Sequence, residues 1–192
     1  MTDVSDTTTW VFGYGSLVSP ASMATTIGRD VTDADTAVAH LHGFGRRWNY
    51  GSMHLRGDWH HDGVHIVQGL VVSLGLVAAD GEHCNGVAVR VSADELAALD
   101  WRERDYERTD VSDQISFDGE TPGERVVTYV PRPSAIERYE AARDAARAGV
   151  RQTYWDLVHG AFDELGGDHL ERYLATPPPD VPVVEMSLSM LS

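Results

Sequence analysis

The sequence contains no lysine, so all 15 of its basic side chains are arginines. This absence excludes a Schiff-base lysine, a pyridoxal phosphate linkage and the lysine of a phosphate-binding loop. Basic residues are also outnumbered by 30 acidic ones, which gives a net charge of −15 at pH 7. Nucleic acids and anionic membranes are bound by clustered positive charge. The composition therefore argues against both as partners.

Cysteine is almost absent, and Cys84 is the only one. A single cysteine forms no disulfide within the chain, and we expect a small buried thiol in a reducing compartment. The most apolar stretch, residues 66–79, is interrupted by polar residues and glycines and is shorter than the ~20 residues of a membrane-spanning helix. The first residues are polar and acidic, unlike a secretory signal. These features predict a cytoplasmic protein.

The first half of the chain has the pattern of β-strands. Apolar or alternating runs predict strands at residues 10–13, 70–77 and 86–91. An Asp-Gly pair within residues 78–81 predicts a hairpin between the last two strands. The polar, histidine-rich residues 49–65 are predicted to form a loop.

A short helix is predicted after these strands. Ser92 and Glu95 have the spacing of a capping box, and the helix is expected to end near Trp101. A strand is predicted at 111–117. Glu103 would therefore lie in the connection between helix and strand, where catalytic groups are often found.

The second half is predicted to be mainly helical. Ser134 and Glu137 match a second capping box, in a segment that Gly149 is expected to close. A helix is predicted at 151–165, and Asp168 is expected to cap a final short helix that ends before three prolines. Beyond them, alternation of apolar and polar residues predicts a tail strand at the edge of a sheet, in this chain or a second copy.

This order of elements predicts an α+β protein. Residues 1–8 are expected to be a flexible terminus, 9–175 a single domain and 176–192 an extended tail.

The pair Gly13 and Gly15 marks a turn after the first strand. A dinucleotide-binding motif would require a further glycine where Val18 stands, and Ser16 does not lie in the G-x-S-x-G motif of hydrolases. From these residues alone, a tight turn that needs glycine is favoured.

Four histidines crowd the predicted polar loop: His54, His60, His61 and His65. Their spacing matches no zinc motif, so a polar loop is favoured over a metal site, and no metal is expected.

Glu103 is flanked by Arg102 and Arg104, with Trp101 and Tyr106 nearby. From the pattern alone, a charged and solvated helix end is favoured. Burial near Trp101 would raise the pKa of Glu103, and either arginine would lower it if it faced the carboxylate.

Several motifs follow one another in a family-specific order. They are VFGYGSL at 11–17, GFGRRW at 43–48 with Ser52 and Arg56-Gly57, GLVVSL at 69–74, GVAVR at 86–90, LDWRE at 99–103, and the helical part at 154–174. Together they resemble the γ-glutamylcyclotransferase superfamily, particularly its ChaC-like branch. The sequence departs from that pattern at Leu55, where the family has histidine, and at Arg104-Asp105, where it has glycines.

The resemblance implies a γ-glutamylcyclotransferase-like fold, a small mixed β-barrel with flanking helices and a helical C-terminal part. It implies that a γ-glutamyl amide is cyclised to 5-oxoproline without a cofactor, and it maps the family's catalytic glutamate onto Glu103. The substrate-binding residues that it implies are Gly13, Tyr14, Gly15, Ser16, Leu17, Arg56 and Tyr106. The implied partner is a small γ-glutamyl molecule, with glutathione as the family's default.

Two alternatives stay open at this stage. The chain could be a non-catalytic member of the fold that binds a small ligand or a partner, or an enzyme of another γ-glutamyl acyl transfer or hydrolysis. The alternating tail would also allow a homodimer.

Overall fold

The computed structural model describes residues 8–119 and 123–191. Within them the chain forms five α-helices and nine β-strands. The helices are α1 (Pro20–Ile27), α2 (Ala93–Arg102), α3 (Pro133–Asp144), α4 (Gln152–Glu164) and α5 (His169–Leu174). The strands are β1 (Thr9–Gly13), β2 (Thr36–His61), β3 (Val64–Val91), β4 (Tyr106–Asp110), β5 (Ile115–Phe117), β6 (Arg125–Pro131), β7 (Ala148–Arg151), β8 (Val183–Val184) and β9 (Ser187–Met190). The α+β prediction is confirmed.

The chain divides into two compact units. Unit 1 contains the chain up to Gly45 and Ala78–Val130, and unit 2 contains Arg46–Val77 and everything from Pro131 onward. The long strands β2 and β3 contribute residues to both units.

In unit 1 the strands form a mixed sheet in the order β4-β6-β1-β3-β2-β5. The short strand β1 is central and is fully buried along its length. It pairs with β6 in parallel and with β3 in an antiparallel register that places Gly13 opposite Val87. Apolar residues of β1, β3 and β6 form the core, and α2 contributes Leu99, which has no exposed surface. The sheet therefore fixes the end of β1, from which the glycine pair emerges.

The strand pairings given for unit 2 involve fewer residues than the pairing of β1 with β3. Strand β7 pairs in parallel with β3 and with β8, and β9 pairs antiparallel with β2. The tail strand therefore adds to an edge of its own chain, and its pairing with a second copy stays a prediction. Helices α4 and α5 bury Phe162 and Tyr173.

The predicted hairpin at 78–81 is wrong. Strand β3 runs through these residues, and its two ends pair with β7 and β1 rather than with each other. The hairpin lies instead between β2 and β3, where Asp62 and Gly63 both have positive φ angles, of 48° and 78°. This is the signature of a type I′ turn, whose twist matches that of paired strands. The predicted loop at 49–65 is therefore two strand ends and a two-residue turn.

Three smaller predictions are also wrong, and a fourth holds only in part. The predicted strand 111–117 is shortened to β5, because Ser112–Gln114 form a 3₁₀ turn. Helix α3 starts at Pro133 after the N-cap Arg132, without the predicted capping box, and Gly149 lies inside β7. Asp168 is the N-cap residue of α5, as predicted, but its side chain accepts from Arg172 instead of from the helix backbone. In α3 the first helical residue is Pro133, whose fixed φ suits that position.

No helix in the part of the chain that the structure describes is both long and apolar enough to cross a bilayer.

Candidate active site

The glycine turn, residues 13–17, follows directly from the buried strand β1. A β-carbon on Gly13 would lie 2.7 Å from Leu17 Cβ and 2.9 Å from the Leu17 carbonyl carbon, so only glycine fits where the chain folds back. A 3₁₀ turn then begins, and its first hydrogen bond runs from the Val18 N–H to the Gly15 carbonyl at 3.0 Å. The N–H groups of Ser16 and Leu17 come before that bond and have no partner inside the turn. The glycine turn therefore presents backbone donors.

Tyr14 anchors this turn to the sheet. Its hydroxyl donates to the Tyr129 carbonyl at 2.7 Å, and the Thr128 hydroxyl donates to the Phe12 carbonyl at 2.8 Å. All four residues are buried. The Tyr14 hydroxyl thus has a role in the fold, and Leu17, which is also buried, packs beneath the turn.

Glu103 lies at the C-terminal end of α2. The predicted capping box between Ser92 and Glu95 is present and fixes the start of this helix. At its other end the Glu103 N–H donates to the Leu99 carbonyl at 2.8 Å, and Glu103 adopts a non-helical ψ of 25°. The Glu103 carbonyl accepts from the N–H of Tyr106 at 2.8 Å, which starts β4. The backbone of Glu103 is therefore held on both sides.

The Glu103 side chain is only 14% exposed. Burial raises the pKa of its carboxyl group above the ordinary value, and the Arg102 guanidinium, 3.0 Å away, opposes this rise. The raised pKa makes Glu103 a stronger base than a solvated glutamate. The pattern-based interpretation of a solvated helix end is thus wrong for this residue.

Trp101 and Arg104, two neighbours of Glu103 in the sequence, do not contact its carboxylate in the contacts described. Trp101, which was expected to help bury Glu103, is itself 73% exposed. Arg104 donates to the Trp101 carbonyl and lies over the Trp101 ring, with its guanidinium carbon 4.9 Å from the ring centroid. Of the two flanking arginines, Arg102 is therefore the one that faces Glu103.

Arg102 joins the glycine turn to Glu103. One terminal nitrogen of its guanidinium, Nη2, donates to the Ser16 hydroxyl oxygen at 3.1 Å, while Nε lies 3.0 Å from Glu103 Oε1. The Ser16 hydroxyl accepts this bond and keeps its own hydrogen to donate. Two motifs almost ninety residues apart in sequence are thus brought together by one side chain.

A second polar group adjoins Glu103 and was not predicted from the sequence. The Tyr129 hydroxyl donates to Asp100 Oδ1 at 2.8 Å, and Arg108 lies 2.5 Å from Asp100 Oδ2. Burial, followed by the hydrogen bond to Asp100, raises the pKa of Tyr129, and the charge of Glu103 contributes in the same direction. The phenol thus stays protonated and can donate. The only signal of this polar group in the sequence was the spacing of Asp100, which lies on α2 three residues before Glu103.

Arg56 and Tyr106 lie in different parts of the chain. Tyr106 is half-buried at the start of β4, within unit 1. Arg56 belongs to unit 2, where its Nη1 donates to the carbonyls of Ser52 and Leu55. Burial and the charge of Arg138 lower the pKa of Arg56. The role of both residues in binding stays a prediction.

The histidine-rich hairpin has no metal-binding geometry among the residues described. The rings of His60 and His65 stack at 4.2 Å between centroids, and no cluster of three or more metal-ligating side chains occurs in 8–119 or 123–191.

Comparison with known proteins gives a family match and likenesses to solved structures. The family model "ChaC-like protein" matches residues 9–150. A solved structure described as a gamma-glutamyl cyclotransferase has 16% sequence identity and a TM-score of 0.53, with 90% of each chain covered. A yeast gamma-glutamyl cyclotransferase described as specific to glutathione has 16% identity and a TM-score of 0.52, covering 90% of this chain and 89% of its own. No curated protein matches the sequence.

The two structural likenesses show the fold, and the family model spans both the glycine turn and Glu103. The chain therefore belongs to the ChaC-like family, in the γ-glutamylcyclotransferase superfamily.

Proposed function

We propose that this protein is a γ-glutamylcyclotransferase that converts a γ-glutamyl amide to 5-oxoproline and a free amine, with Glu103 as general base and acid. The observation that carries the proposal is the buried Glu103 carboxylate, joined through Arg102 to the glycine turn. The family match and the fold of the two cyclotransferases support it.

The nucleophile of this reaction belongs to the substrate. The α-amino nitrogen attacks its own γ-carbonyl carbon, and a new C–N bond closes a five-membered ring. Glu103 accepts a proton from the amine as the bond forms, and the carbonyl oxygen becomes an oxyanion. The original amide C–N bond then breaks, and Glu103 returns the proton to the departing nitrogen. No residue of the protein is bonded to the substrate at any step.

The raised pKa of Glu103 suits both halves of this cycle, because a proton acceptor and donor works best with a pKa near the working pH. Proton transfer of this kind contributes typically ~10²–10⁴-fold to the rate. Holding the amine against the carbonyl contributes more, since oriented intramolecular attack is worth ~7–11 kcal/mol.

The glycine turn would bind the charged parts of the substrate. The N–H groups of Ser16 and Leu17 are suited to the α-carboxylate or to the developing oxyanion, where preorganised donors stabilise charge. Gly13, Tyr14 and Gly15 would contribute by fixing the turn, and Tyr106 and Arg56 are further candidates for substrate contact.

Glutathione is the first substrate to test, since the yeast cyclotransferase is described as specific to it. The purified protein would be incubated with glutathione and a panel of γ-glutamyl dipeptides and amines, and 5-oxoproline would be measured by mass spectrometry. We expect 5-oxoproline from at least one compound. Free glutamate as the product would indicate hydrolysis instead.

The decisive variant is Glu103→Gln, which keeps the shape of the side chain and removes its ability to accept a proton. We expect 5-oxoproline formation to fall by at least ~10²–10⁴-fold, with the fold retained by circular dichroism and substrate binding retained by calorimetry. Turnover close to that of the wild type would exclude Glu103 as the base. Binding by both proteins without turnover by either would favour a non-catalytic member of the fold.

A further inference from the structure

All three guanidinium nitrogens of Arg102 have partners, although the side chain is 30% exposed. Its Nη1 donates to the Ser22 carbonyl at 3.0 Å and to the Thr26 hydroxyl oxygen at 2.6 Å. Its Nη2 donates to the hydroxyl oxygens of Ser16 and Ser22, both at 3.1 Å. The remaining nitrogen, Nε, faces Glu103.

These contacts fix the plane of the guanidinium. Four bonds from its two terminal nitrogens reach α1 and the glycine turn, and a planar group held at that end cannot rotate about its axis without breaking several of them. The direction of the Nε–H bond is therefore set by residues distant in sequence. Glu103 Oε1 lies 3.0 Å from Nε and forms an ion pair with the guanidinium.

The pairing of Arg102 with Glu103 is not a by-product of helix geometry. Adjacent residues of a helix point in different directions and do not face each other. Here Glu103 stands just beyond the last helical residue, and its ψ of 25° departs from the helical value, so its carboxylate can turn back toward Arg102. Helix α2 ends at Arg102, and the ion pair between Arg102 and Glu103 forms at this end.

We propose that Arg102 is a positioning residue, which locks the Glu103 carboxylate in one orientation relative to the glycine turn. This inference rests on the proposed function for its effect on turnover. It adds that the base is placed by α1 and the turn acting through one guanidinium, rather than by the end of α2 alone.

Burial and Arg102 are the two causes of the pKa shift of Glu103, and other titratable groups lie nearby. The Tyr129 hydroxyl comes from β6, and its acceptor Asp100 lies on α2 and pairs with Arg108 of β4. None of these side chains bonds to Arg102 in the contacts given above, and none is changed in an Arg102 variant. A change in the titration of Glu103 in an Arg102 variant is therefore assigned to Arg102.

The experiment compares Arg102→Gln and Arg102→Lys with a matched control, Arg104→Gln. The control removes the same charge from the other neighbour of Glu103, and Arg104 lies over Trp101 rather than against the carboxylate. For each variant, kcat and KM for the best γ-glutamyl substrate would be measured across pH, and Glu103 would be titrated by carbon NMR of its carboxyl group.

For Arg102→Gln we expect kcat to fall by roughly 10–100-fold, since a displaced catalytic group can cost ~10²-fold. KM should change by less than about threefold, because the substrate is proposed to bind the backbone N–H groups of the turn, and the substitution leaves these unchanged. The acid limb of kcat/KM and the NMR midpoint of Glu103 should both move to higher pH. Arg104→Gln should leave all four quantities within about twofold or 0.3 pH units of the wild type.

Arg102→Lys separates charge from geometry. A lysine restores the positive charge without the planar fork, so the pH midpoint should return toward that of the wild type while kcat stays low. Full recovery of kcat would show that charge alone matters and would overturn the positioning role. Thr26→Val, which removes one acceptor and keeps Arg102, should lower kcat by a smaller factor and keeps the test available if the Arg102 variants unfold.

The two proposals fail in different ways. If the wild type forms no 5-oxoproline, the proposed function fails, and the NMR titration still decides whether Arg102 holds Glu103. If the wild type is active but Arg102→Gln matches Arg104→Gln in kcat and in the Glu103 midpoint, the positioning role is wrong.

Discussion

Each compact unit contains an arginine on which other side chains converge, and the two differ in what surrounds the guanidinium. In unit 1, four hydrogen bonds to hydroxyl and carbonyl oxygens hold Arg102, and its Nε lies 3.0 Å from a carboxylate oxygen. In unit 2, Arg46 is 3% exposed and donates to the Thr176 hydroxyl oxygen at 3.1 Å, but aromatic rings are its main neighbours: its guanidinium carbon lies 4.7 Å from the Phe162 ring centroid and 5.3 Å from that of Tyr173.

The two surroundings differ in how closely they fix the orientation of the guanidinium group. An aromatic face attracts a cation over a broad area, so it stabilises packing without selecting one orientation closely. Oxygen acceptors select donors one by one and so fix the guanidinium plane. Arg102 is therefore suited to orient a reacting group, and Arg46 to complete a core. Changes around Arg46 should affect stability, whereas changes around Glu103 should affect turnover.

The largest effect on stability is expected from Phe162→Ala in unit 2. Phe162 has no exposed surface and stacks on Tyr173 at 4.6 Å between ring centroids. Removing the ring should lower the free energy of unfolding by about 3–5 kcal/mol, measured by urea denaturation. Leu157→Ala on the same helix is the control, because Leu157 is 38% exposed and its loss should cost less than about 1 kcal/mol.

The same variant tests the contrast between the two arginines. The contacts given above for Glu103 all come from unit 1, so the kcat of folded Phe162→Ala should stay within about threefold of the wild type. A loss of kcat comparable to that of Glu103→Gln would show that the aromatic cluster around Arg46 also supports the reaction.

The position of Glu103 was predictable from the sequence because local signals determine it. The capping box of Ser92 and Glu95 fixes where α2 begins, and the polar residues after Leu99 indicate where it ends. The resemblance to the family then identifies the residue. Its burial was not predictable, because burial depends on the packing of α1, α2 and β6 rather than on neighbours in sequence.

The role of Arg102 could not be read from the sequence either. Three of its acceptors belong to Ser16, Ser22 and Thr26, which are 76 to 86 residues away. The segment around residue 102 gives no signal for such partners, and a surface charge was the simpler interpretation. Contacts of this kind are fixed only once the glycine turn and α2 are brought together by the sheet.

The raised pKa of Glu103 predicts a pH dependence of stability. A carboxyl group with a higher pKa in the folded than in the unfolded state binds more protons when folded. The stability that it contributes is therefore full below about 4.5, its ordinary value, and is lost as pH rises toward the folded pKa. Above that pKa the loss is constant, at about 1.4 kcal/mol for each unit of upward shift.

Glu103→Gln should escape this loss, because the amide does not titrate. Its melting temperature relative to the wild type should rise as the pH increases from 4.5 toward the folded pKa of Glu103 and then level off. The variant would then be less active and more stable, as expected where a charge is buried for function. A melting-temperature difference that is flat or that falls over this range would contradict the raised pKa.

The smallest effects concern two of the three Asp-Gly pairs, Asp62-Gly63 in unit 2 and Asp80-Gly81 in unit 1. Asp62 and Gly63 form the turn between β2 and β3, whereas Gly81, at φ 80°, lies within β3 without reversing the chain. The sequence favoured the second pair because apolar runs flank it, and the strand ends around Asp62 are rich in polar residues. The distinction lies in Asp62 itself, whose φ of 48° is one that aspartate tolerates better than most residues do.

Alanine at the two aspartates should therefore give different results. Asp62→Ala should lower the free energy of unfolding by about 1 kcal/mol, because alanine resists a positive φ. Asp62→Asn should be neutral, since asparagine accepts the same angle, and Asp80→Ala should stay within about 0.5 kcal/mol of the wild type. Urea midpoints of the three variants provide the test. An equal cost for both alanine variants would mean that the left-handed angle at Asp62 does not distinguish the two pairs, and the turn would then depend on its flanking strands alone.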